Sequence, residues 1–296
     1  MTKSGASFSI VGAGRVGSSL GNALVDAGWR CDFVVGEKID ASGLRKIRRH
    51  LAGARVLTSP SSLLDKSNII FVSVTDDQIE RVAHELAVTD GINWSGKVVF
   101  HASGIVEVDK LAKLRNAGAC IGALHPLAPF SSRFEPHSSR GIYYDFFGDR
   151  TALIVARRIT KTLSSKLLVL GSERERELLH VAGVIVSNFT VVGNIAAGML
   201  VSGFVDKKDA KPMLHGLLAS TVDNLSADGT SGSLTGPLAR GDLAVVKKHL
   251  ESLENHGLLL QFYRVASLLG IEALLKDEKS PERKSKLLEI RKLLEA

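Results

Sequence analysis

The sequence predicts an α/β protein in which a doubly wound, mostly parallel sheet is followed by an all-helical C-terminal domain. Three observations predict this fold class. A glycine-rich turn follows the first apolar run, short apolar runs alternate with helical patterns through the first half of the chain, and long helical patterns replace them in the second half. The change of pattern places the domain boundary after residue 164, which gives domains of residues 1–164 and 165–296.

The predicted strands are short runs of apolar residues bounded by turn residues, at 7–12, 31–35, 55–57, 69–74, 97–101, 119–124 and 151–155. The helices between them are predicted at 15–27, 42–52, 60–66, 77–88 and 107–117. Longer helices are predicted in the second domain at 173–201, 209–226, 242–254, 257–269 and 282–295, with a glycine-rich loop at 227–236. The alternation in the first domain is typical of a parallel sheet with helices on both faces.

The first predicted strand leads directly into the turn Gly12-Ala13-Gly14-Arg15-Val16-Gly17. This spacing predicts a tight turn at Gly12, a close backbone approach to a pyrophosphate at Gly14, and close helix packing at Gly17. The N–H groups at the start of the following helix favour phosphate binding. Because a second strand follows at the interval of a βαβ unit, the context favours a Rossmann-type dinucleotide site over an ordinary glycine-rich turn. All six residues are therefore candidates for cofactor binding.

Residues after the second strand bear on the choice between the two nicotinamide cofactors. An acidic residue there binds the ribose hydroxyls of NAD, whereas a basic residue accepts the 2′-phosphate of NADP. The chain has Glu37 followed at once by Lys38, with Arg45 a little further on. The cations favour NADP, and Glu37 leaves NAD open. Val74 and Thr75, at the end of the fourth strand, are also predicted to lie beside the cofactor.

Small polar residues and histidines follow the fifth and sixth strands, whose carboxyl ends border the same crevice. Ser103 and Gly104 are placed to bind substrate oxygens through a hydroxyl and a backbone N–H. His101 lies closer to the strand interior, where a core role is expected. His125 stands between an apolar strand and Pro126, so it is a candidate proton donor or ligand of a substrate oxygen, with a structural role in the turn as the alternative.

The helical half contributes a second set of polar residues. His180 and Ser187 are seven residues apart on a very apolar helix, and Asn188 lies about a quarter-turn away. A polar group in such a helix lowers stability unless it is hydrogen-bonded, so each of these side chains is expected to hydrogen-bond to a neighbouring residue or to contact a ligand. Arg240 is the cation of the loop before a helix capped by Asp242, and it either binds a substrate carboxylate or pairs with Asp242.

Composition limits the partners and the compartment. The chain has 296 residues, a formal net charge of +7 and 5% aromatic residues, and its cations are dispersed, so an anionic cofactor and substrate are favoured over nucleic acid. The apolar segment 178–201 is interpreted as a buried central helix, which packs against the other C-terminal helices and a second subunit, rather than as a membrane span. Cys31 and Cys120 form no CxxC pair, so free thiols, a cytoplasmic location and no bound metal are expected, with no signal peptide.

These motifs together resemble one family. It is the group of Rossmann-like proteins whose C-terminal helical half is classed as a domain of unknown function, within the superfamily of 6-phosphogluconate dehydrogenase-like reductases. The motifs that carry the resemblance are the glycine turn, His101-Ala-Ser-Gly104, Leu124-His-Pro-Leu-Ala-Pro-Phe130, Ser187-Asn188 and Thr235-Gly-Pro-Leu-Ala-Arg-Gly-Asp242. The resemblance implies a homodimer formed through the C-terminal helices and an active site between the two domains.

Related families imply roles for particular residues. Asn188 is similar to the helix asparagine that holds substrate in ketopantoate reductases and β-hydroxyacid dehydrogenases, but Val184 occupies the position of their catalytic lysine. His125-Pro126 is similar to the His-Pro of prephenate dehydrogenases, whose histidine engages the substrate hydroxyl. The resemblance thus implies that His125 replaces the missing lysine.

The function expected from the sequence is hydride transfer from NADPH, or from NADH, to the carbonyl or imine of a small carboxylate-bearing substrate. His125, Ser103 and Asn188 are the catalytic candidates, and Gly104, His180 and Arg240 are the substrate-binding candidates. A 2-keto acid of the ketopantoate type is the preferred substrate. A prephenate-type or pyrroline-type substrate is the enzymatic alternative, and a protein that binds NADP(H) without chemistry is the non-catalytic one.

Overall fold

The computed structural model describes residues 6–37 and 39–296. Within them the strands form one sheet in the order β3-β2-β1-β4-β5-β6-β7-β8. The strands are β1 (Ser7–Val11), β2 (Arg30–Val35), β3 (Arg55–Leu57), β4 (Ile69–Val72), β5 (Val98–His101), β6 (Cys120–Pro126), β7 (Tyr143–Gly148) and β8 (Lys166–Val169). Strands β1 to β6 are parallel, whereas β7 runs antiparallel to β6 and β8 runs parallel to β7. The predicted doubly wound α/β fold is confirmed.

Helices cover both faces of this sheet. They are α1 (Arg15–Asp26), α2 (Ala41–His50), α3 (Ile79–Ala87), α4 (Ala112–Asn116) and α5 (Arg150–Thr162). Successive residues of a strand enter opposite cores: Ile69 and Phe71 of β4 pack on the side of α1 and α5, whereas Ile70 and Val72 pack on the side of α3 and α4. Because the strands are buried on both faces, they are apolar throughout, which explains why their sequence runs are continuous rather than alternating.

The predicted strand at 151–155 is wrong, because these residues lie in α5. The buried positions of α5, Ala152, Ala156, Ile159 and Thr160, repeat at helical spacing and outweigh the strand preference of the β-branched run. Gly148, with a φ of +149°, ends β7 just before this helix. The sequence reasoning also missed β7 and β8, so strand structure continues past residue 164.

The rest of the chain is helical. Its helices are α6 (Glu173–Val184), α7 (Thr190–Val201), α8 (Lys207–Ser233), α9 (Gly236–Arg240), α10 (Leu243–Ser252), α11 (Gly257–Asp277) and α12 (Pro281–Glu295). A π-helical turn, Ile185–Phe189, separates α6 from α7. Much of the predicted loop at 227–236 belongs to α8, which is broken at Gly229. The chain divides into two compact units, Met1–Ser187 and Asn188–Ala296.

The apolar helical segments of the chain are not enclosed by the chain itself. Two of them, Glu173–Val201 and Gly257–Lys276, are long and apolar enough to cross a membrane by length and composition, with mean hydropathies of 1.8 and 1.5. The most apolar 18-residue stretches of the two segments are 0% and 17% buried. The segment at 178–201 is therefore largely exposed in the single chain, and its expected packing against other C-terminal helices and a second subunit stays a prediction.

Candidate active site

The glycine turn has the backbone geometry that its spacing predicts. Gly12 has a φ of +100°, and a Cβ there would lie 2.5 Å from the carbonyl oxygen of Ser73. A Cβ at Gly17 would lie 2.7 Å from the carbonyl oxygen of Gly12, so this glycine permits the close approach of α1 to the turn. At Gly14 the nearest atom to such a Cβ is 3.6 Å away, an ordinary contact. Gly14 is therefore not required by packing within the chain, and it begins α1 without a side-chain cap.

A cavity of about 320 Å³ lies between this turn and the end of β2. Gly36, Glu37 and Val74 are among the residues that line it, together with Arg81 of α3. Arg81 Nη2 donates to Glu37 Oε1 at 3.2 Å, and Arg81 also pairs with Glu85. The acidic residue that favours NAD is thus already paired with a cation of the same cavity.

Three other cofactor candidates stand apart from that pair. Arg45 is exposed on α2 and is not among the residues that line the cavity. Thr75 is exposed and precedes the 3-10 turn Asp76–Gln78, which leads into α3. Lys38 lies outside the residues that the structure describes. Sequence reasoning missed Arg81 because it comes from the helix after β4, far along the chain from the end of β2.

A second cavity, of about 340 Å³, brings most of the other predicted residues together within the first unit. It lies where the start of α1 meets the ends of β5 and β6 and the helix α6. Its lining residues are Arg15, Val16, Asp76, Ala102, Ser103, Gly104, His125, Pro126, Ala128, Phe130 and His180. The start of the predicted phosphate-binding helix and the predicted proton donor therefore face one space.

His125 is held by a buried carboxylate. It is paired in register with Asp145 of the antiparallel neighbour β7, so the two side chains project from the same face of the sheet. His125 Nδ1 lies 2.7 Å from Asp145 Oδ2. The side chain of Asp145 is 2% exposed, whereas that of His125 is 19% exposed. The imidazole is thus fixed at one nitrogen and remains open to the cavity.

Arg176 lies behind this pair, with a side chain that is 0% exposed. Its guanidinium donates to the carbonyl oxygens of Ser103 and Val106 at 2.7 and 2.8 Å and to Glu173 Oε2 at 2.5 Å. Its Nε lies 3.7 Å from Asp145 Oδ1, within ion-pair distance but beyond a hydrogen bond. Arg176 therefore ties the loop after β5 to α6. Sequence reasoning missed it, although an arginine three residues after Glu173 at the start of an apolar helix was a usable signal.

His101 and Ser103 shape the loop after β5. Burial, with smaller contributions from the charges of Arg176 and His125, lowers the pKa of His101 to about 3, so this histidine is neutral. Its Nδ1 accepts a hydrogen bond from the Ser103 N–H at 3.2 Å, which agrees with the core role expected of it. The Ser103 hydroxyl oxygen accepts from the N–H groups of Ile105 and Val106 at 3.2 and 3.1 Å. Its own proton remains available to the cavity.

Gly104 lies between two imidazole rings. A Cβ there would come within 2.6 Å of His180 Cδ2 and 2.7 Å of His125 Cε1. The centroids of the two rings are 5.7 Å apart. Only a residue without a side chain allows the backbone this close to both rings, so Gly104 sets the spacing of the two histidines.

The remaining candidates belong to the second unit or lie at its border. Ser187 donates to the carbonyl oxygen of Gly183 at 2.7 Å, so its hydroxyl satisfies its own helix. Asn188 is exposed in the π-helical turn, where the 3.6-residue periodicity assumed for it does not hold. Arg240 is exposed at the end of α9, and Asp242 caps α10 by accepting from the Val245 N–H at 3.2 Å. Roles for Asn188 and Arg240 remain predictions.

Two protein-family models each match part of the chain. Residues 1–126 match a Rossmann-like domain, and residues 142–269 match DUF2520, a domain of unknown function. No curated protein matches the sequence.

Solved structures share the fold over nearly the whole chain. A protein from Thermotoga maritima is 22% identical with a TM-score of 0.69, over 92% of this chain and 100% of its own. A putative NADP oxidoreductase from Bacteroides fragilis is 18% identical with a TM-score of 0.68, over 90% and 98%. A pyrroline carboxylate reductase from Plasmodium falciparum, solved with NADP bound, is 12% identical with a TM-score of 0.60, over 96% and 98%. At these identities the likeness establishes the fold.

Proposed function

We propose that the chain, in which residues 1–126 match a Rossmann-like domain and residues 142–269 match DUF2520, is an NADP-dependent oxidoreductase acting on a small-molecule substrate. One observation carries the proposal. Arg15 and Val16, at the start of the helix predicted to bind phosphate, line the same cavity as His125. This shared cavity supports a proposed dinucleotide site next to a group that can transfer a proton, which is the arrangement that hydride transfer to a carbonyl or imine requires.

The residues at the turn fit a dinucleotide. Gly14 leaves space that packing within the chain does not need, and the N-terminus of α1 has no side-chain cap. Such a terminus binds phosphate through its N–H groups and its dipole. Bound there, NADPH would supply a hydride.

The pairing of Glu37 supports NADP over NAD. A carboxylate that accepts a hydrogen bond from Arg81 is less available to a ribose diol, and Arg81 adds a cation to the cavity at the end of β2. An arginine can bind a phosphate through two parallel hydrogen bonds. NAD remains the alternative, since Glu37 is exposed and its pair with Arg81 can open.

His125 is proposed to donate a proton to the substrate, or to orient its oxygen, and Ser103 to donate a hydrogen bond from its free hydroxyl proton. Asn188 and His180 are proposed to hold the substrate, and Arg240 is proposed to bind the carboxylate of the substrate. A 2-keto acid of the ketopantoate type remains the proposed substrate. A cyclic imine is the alternative, and the similarity to pyrroline carboxylate reductase and to an imine reductase from Streptomyces aurantiacus supports it.

The exposed apolar helices support a homodimer. Phe204, Leu217, Leu258 and Leu269 are between 67% and 83% exposed in the single chain. Apolar surface of this kind is typical of a protein or membrane interface. We expect sedimentation at micromolar concentration, without detergent, to show a dimer. A monomer, or partition of the protein into lipid vesicles, would contradict this part of the proposal.

The proposed function is tested with NADPH, a panel of 2-keto acids and cyclic imines, and the variant His125→Asn. The wild type should oxidise NADPH with at least one class of substrate. The variant should keep its affinity for NADPH and lose turnover by about a hundredfold, because general acid catalysis contributes at least that much. A wild-type protein that binds NADPH but oxidises none of it with any substrate would instead be a nucleotide-binding protein without chemistry.

A further inference from the structure

We propose that Asp145 is a positioning residue, which fixes the tautomer of His125 so that Nε2 faces the cavity. The inference rests on the proposed function only where it concerns turnover. The tautomer itself is a property of the free protein.

A short hydrogen bond joins the side chains of His125 and Asp145. Cross-strand register places Asp145 opposite His125, and Nδ1 lies 2.7 Å from Oδ2. An ionised carboxylate can only accept a hydrogen bond, so Nδ1 must carry the proton. Neutral His125 then presents the lone pair of Nε2 to the cavity, and protonated His125 presents an N–H there.

This arrangement defines the proton step. In reduction of a carbonyl, the Nε2–H bond of protonated His125 breaks as the O–H bond of the product forms. The histidine is left neutral with Nδ1 still protonated, and solvent protonates Nε2 again. In the opposite direction the same Nε2 accepts the hydroxyl proton. Without Asp145, neutral His125 could carry its proton on Nε2. That nitrogen could then not accept the hydroxyl proton during oxidation of an alcohol.

Within residues 6–37 and 39–296, Asp145 has no partner stronger than His125. Among the residues that the structure describes, Oδ1 has no hydrogen bond, and Arg176 Nε lies 3.7 Å from it. The short hydrogen bonds of Arg176 go instead to Ser103, Val106 and Glu173. The hydrogen bond that Asp145 makes is therefore the one to His125, as expected of a group that serves the imidazole rather than the packing of the sheet.

Several charged and titratable groups lie around His125 and Asp145. Arg176 places a buried positive charge beside the Asp145 carboxylate. The other titratable or charged groups that face His125 or its cavity are His180 on α6, His101 on β5, Arg15 on α1 and Asp76 after β4.

The test is nuclear magnetic resonance of the ¹⁵N-histidine-labelled, full-length protein without ligand. The variant His125→Asn assigns the resonances of His125 among those of the nine histidines. Above its titration midpoint, wild-type His125 should show a protonated Nδ1 and an unprotonated Nε2. In Asp145→Asn the side-chain amide donates to Nδ1, so the proton should move to Nε2.

Asp149→Asn is the matched control. Asp149 follows β7 directly, and its carboxylate accepts from the Ile121 N–H of β6 at 2.8 Å, so the same change of chemistry is made near the same strand pair. This control should leave the His125 tautomer unchanged. With a substrate that the wild type reduces, Asp145→Asn should lower kcat by about a hundredfold and shift the pH profile, with the affinity for NADPH unchanged.

Each outcome decides one part of the proposal. A protonated Nε2 in neutral wild-type His125 overturns it, even if Asp145→Asn fails to fold. The expected tautomers together with wild-type kcat in Asp145→Asn overturn the positioning role. The expected tautomers in a protein that reduces no substrate support the positioning of His125 and refute the proposed function.

Discussion

Replacing Gly14 with valine separates cofactor binding from folding. Gly14 has φ and ψ of −71° and −169°, an extended conformation that valine adopts without strain. The nearest atom to a Cβ at this position is 3.6 Å away. The variant should therefore fold with nearly unchanged stability, while its side chain projects into the space where the pyrophosphate approaches the backbone.

The size of the effect follows from the phosphate contacts that would be lost. A hydrogen bond to a charged group contributes roughly 1.5–3 kcal/mol, and we expect at least two to be lost at the start of α1. The total of roughly 3–6 kcal/mol corresponds to an affinity about a hundredfold to ten-thousandfold weaker.

The assay is a fluorescence titration with NADPH, together with thermal unfolding of each variant. Gly17→Ala is the contrasting change, because its Cβ would lie 2.7 Å from a backbone oxygen that cannot move freely. It should lower the free energy of unfolding by about 1–3 kcal/mol. Gly14→Val with wild-type affinity for NADPH would refute a cofactor site at this turn.

Three further changes test neighbouring parts of the site. Arg81→Ala should weaken the binding of NADPH about tenfold or more and the binding of NADH less, because only NADPH carries a 2′-phosphate that Arg81 can bind. Equal losses of affinity in the two titrations would contradict this. Gly104→Ala should displace His125 and lower kcat by about tenfold or more, whereas Gly183→Ala, where a Cβ meets nothing within 4 Å, should not. The pKa of His101 is lowered to about 3 in the folded state, so as the pH falls the histidine is protonated in the unfolded chain before it is protonated in the folded one. His101 should therefore lower the free energy of unfolding by up to about 1.4 kcal/mol per pH unit below about pH 6. Denaturant unfolding of the wild type and of His101→Gln at pH 7.5 and pH 5 measures this loss of stability. An equal loss in the two proteins would contradict the contribution of His101.

The parts of the fold that depend on local pattern could be predicted from the sequence. Gly12 and Gly17 have the turn and packing geometry that their spacing indicates, because backbone conformation and close approach limit these positions to glycine. The parallel strands could be found because burial on both faces makes them continuous apolar runs.

The parts that depend on tertiary packing could not be predicted. The run at 151–155 has strand-forming residues, yet the burial of one face against the sheet makes it a helix. β7 was missed because Asp145 interrupts its aromatic run, and that carboxylate is explained only by a partner, His125, twenty residues away. Arg81 and Arg176 were missed for the same reason, since each contacts segments distant in the sequence.

The register between β6 and β7 also determines which sequence changes the site can tolerate during evolution. A residue inserted within β7 would turn Asp145 to the opposite face of the sheet and separate it from His125. Residues 127–142, which connect the two strands, are free of that constraint, and they include Ala128 and Phe130 of the cavity wall. We therefore expect insertions and deletions in this connection to reshape the wall of the proposed substrate cavity while the pairing of His125 with Asp145 persists.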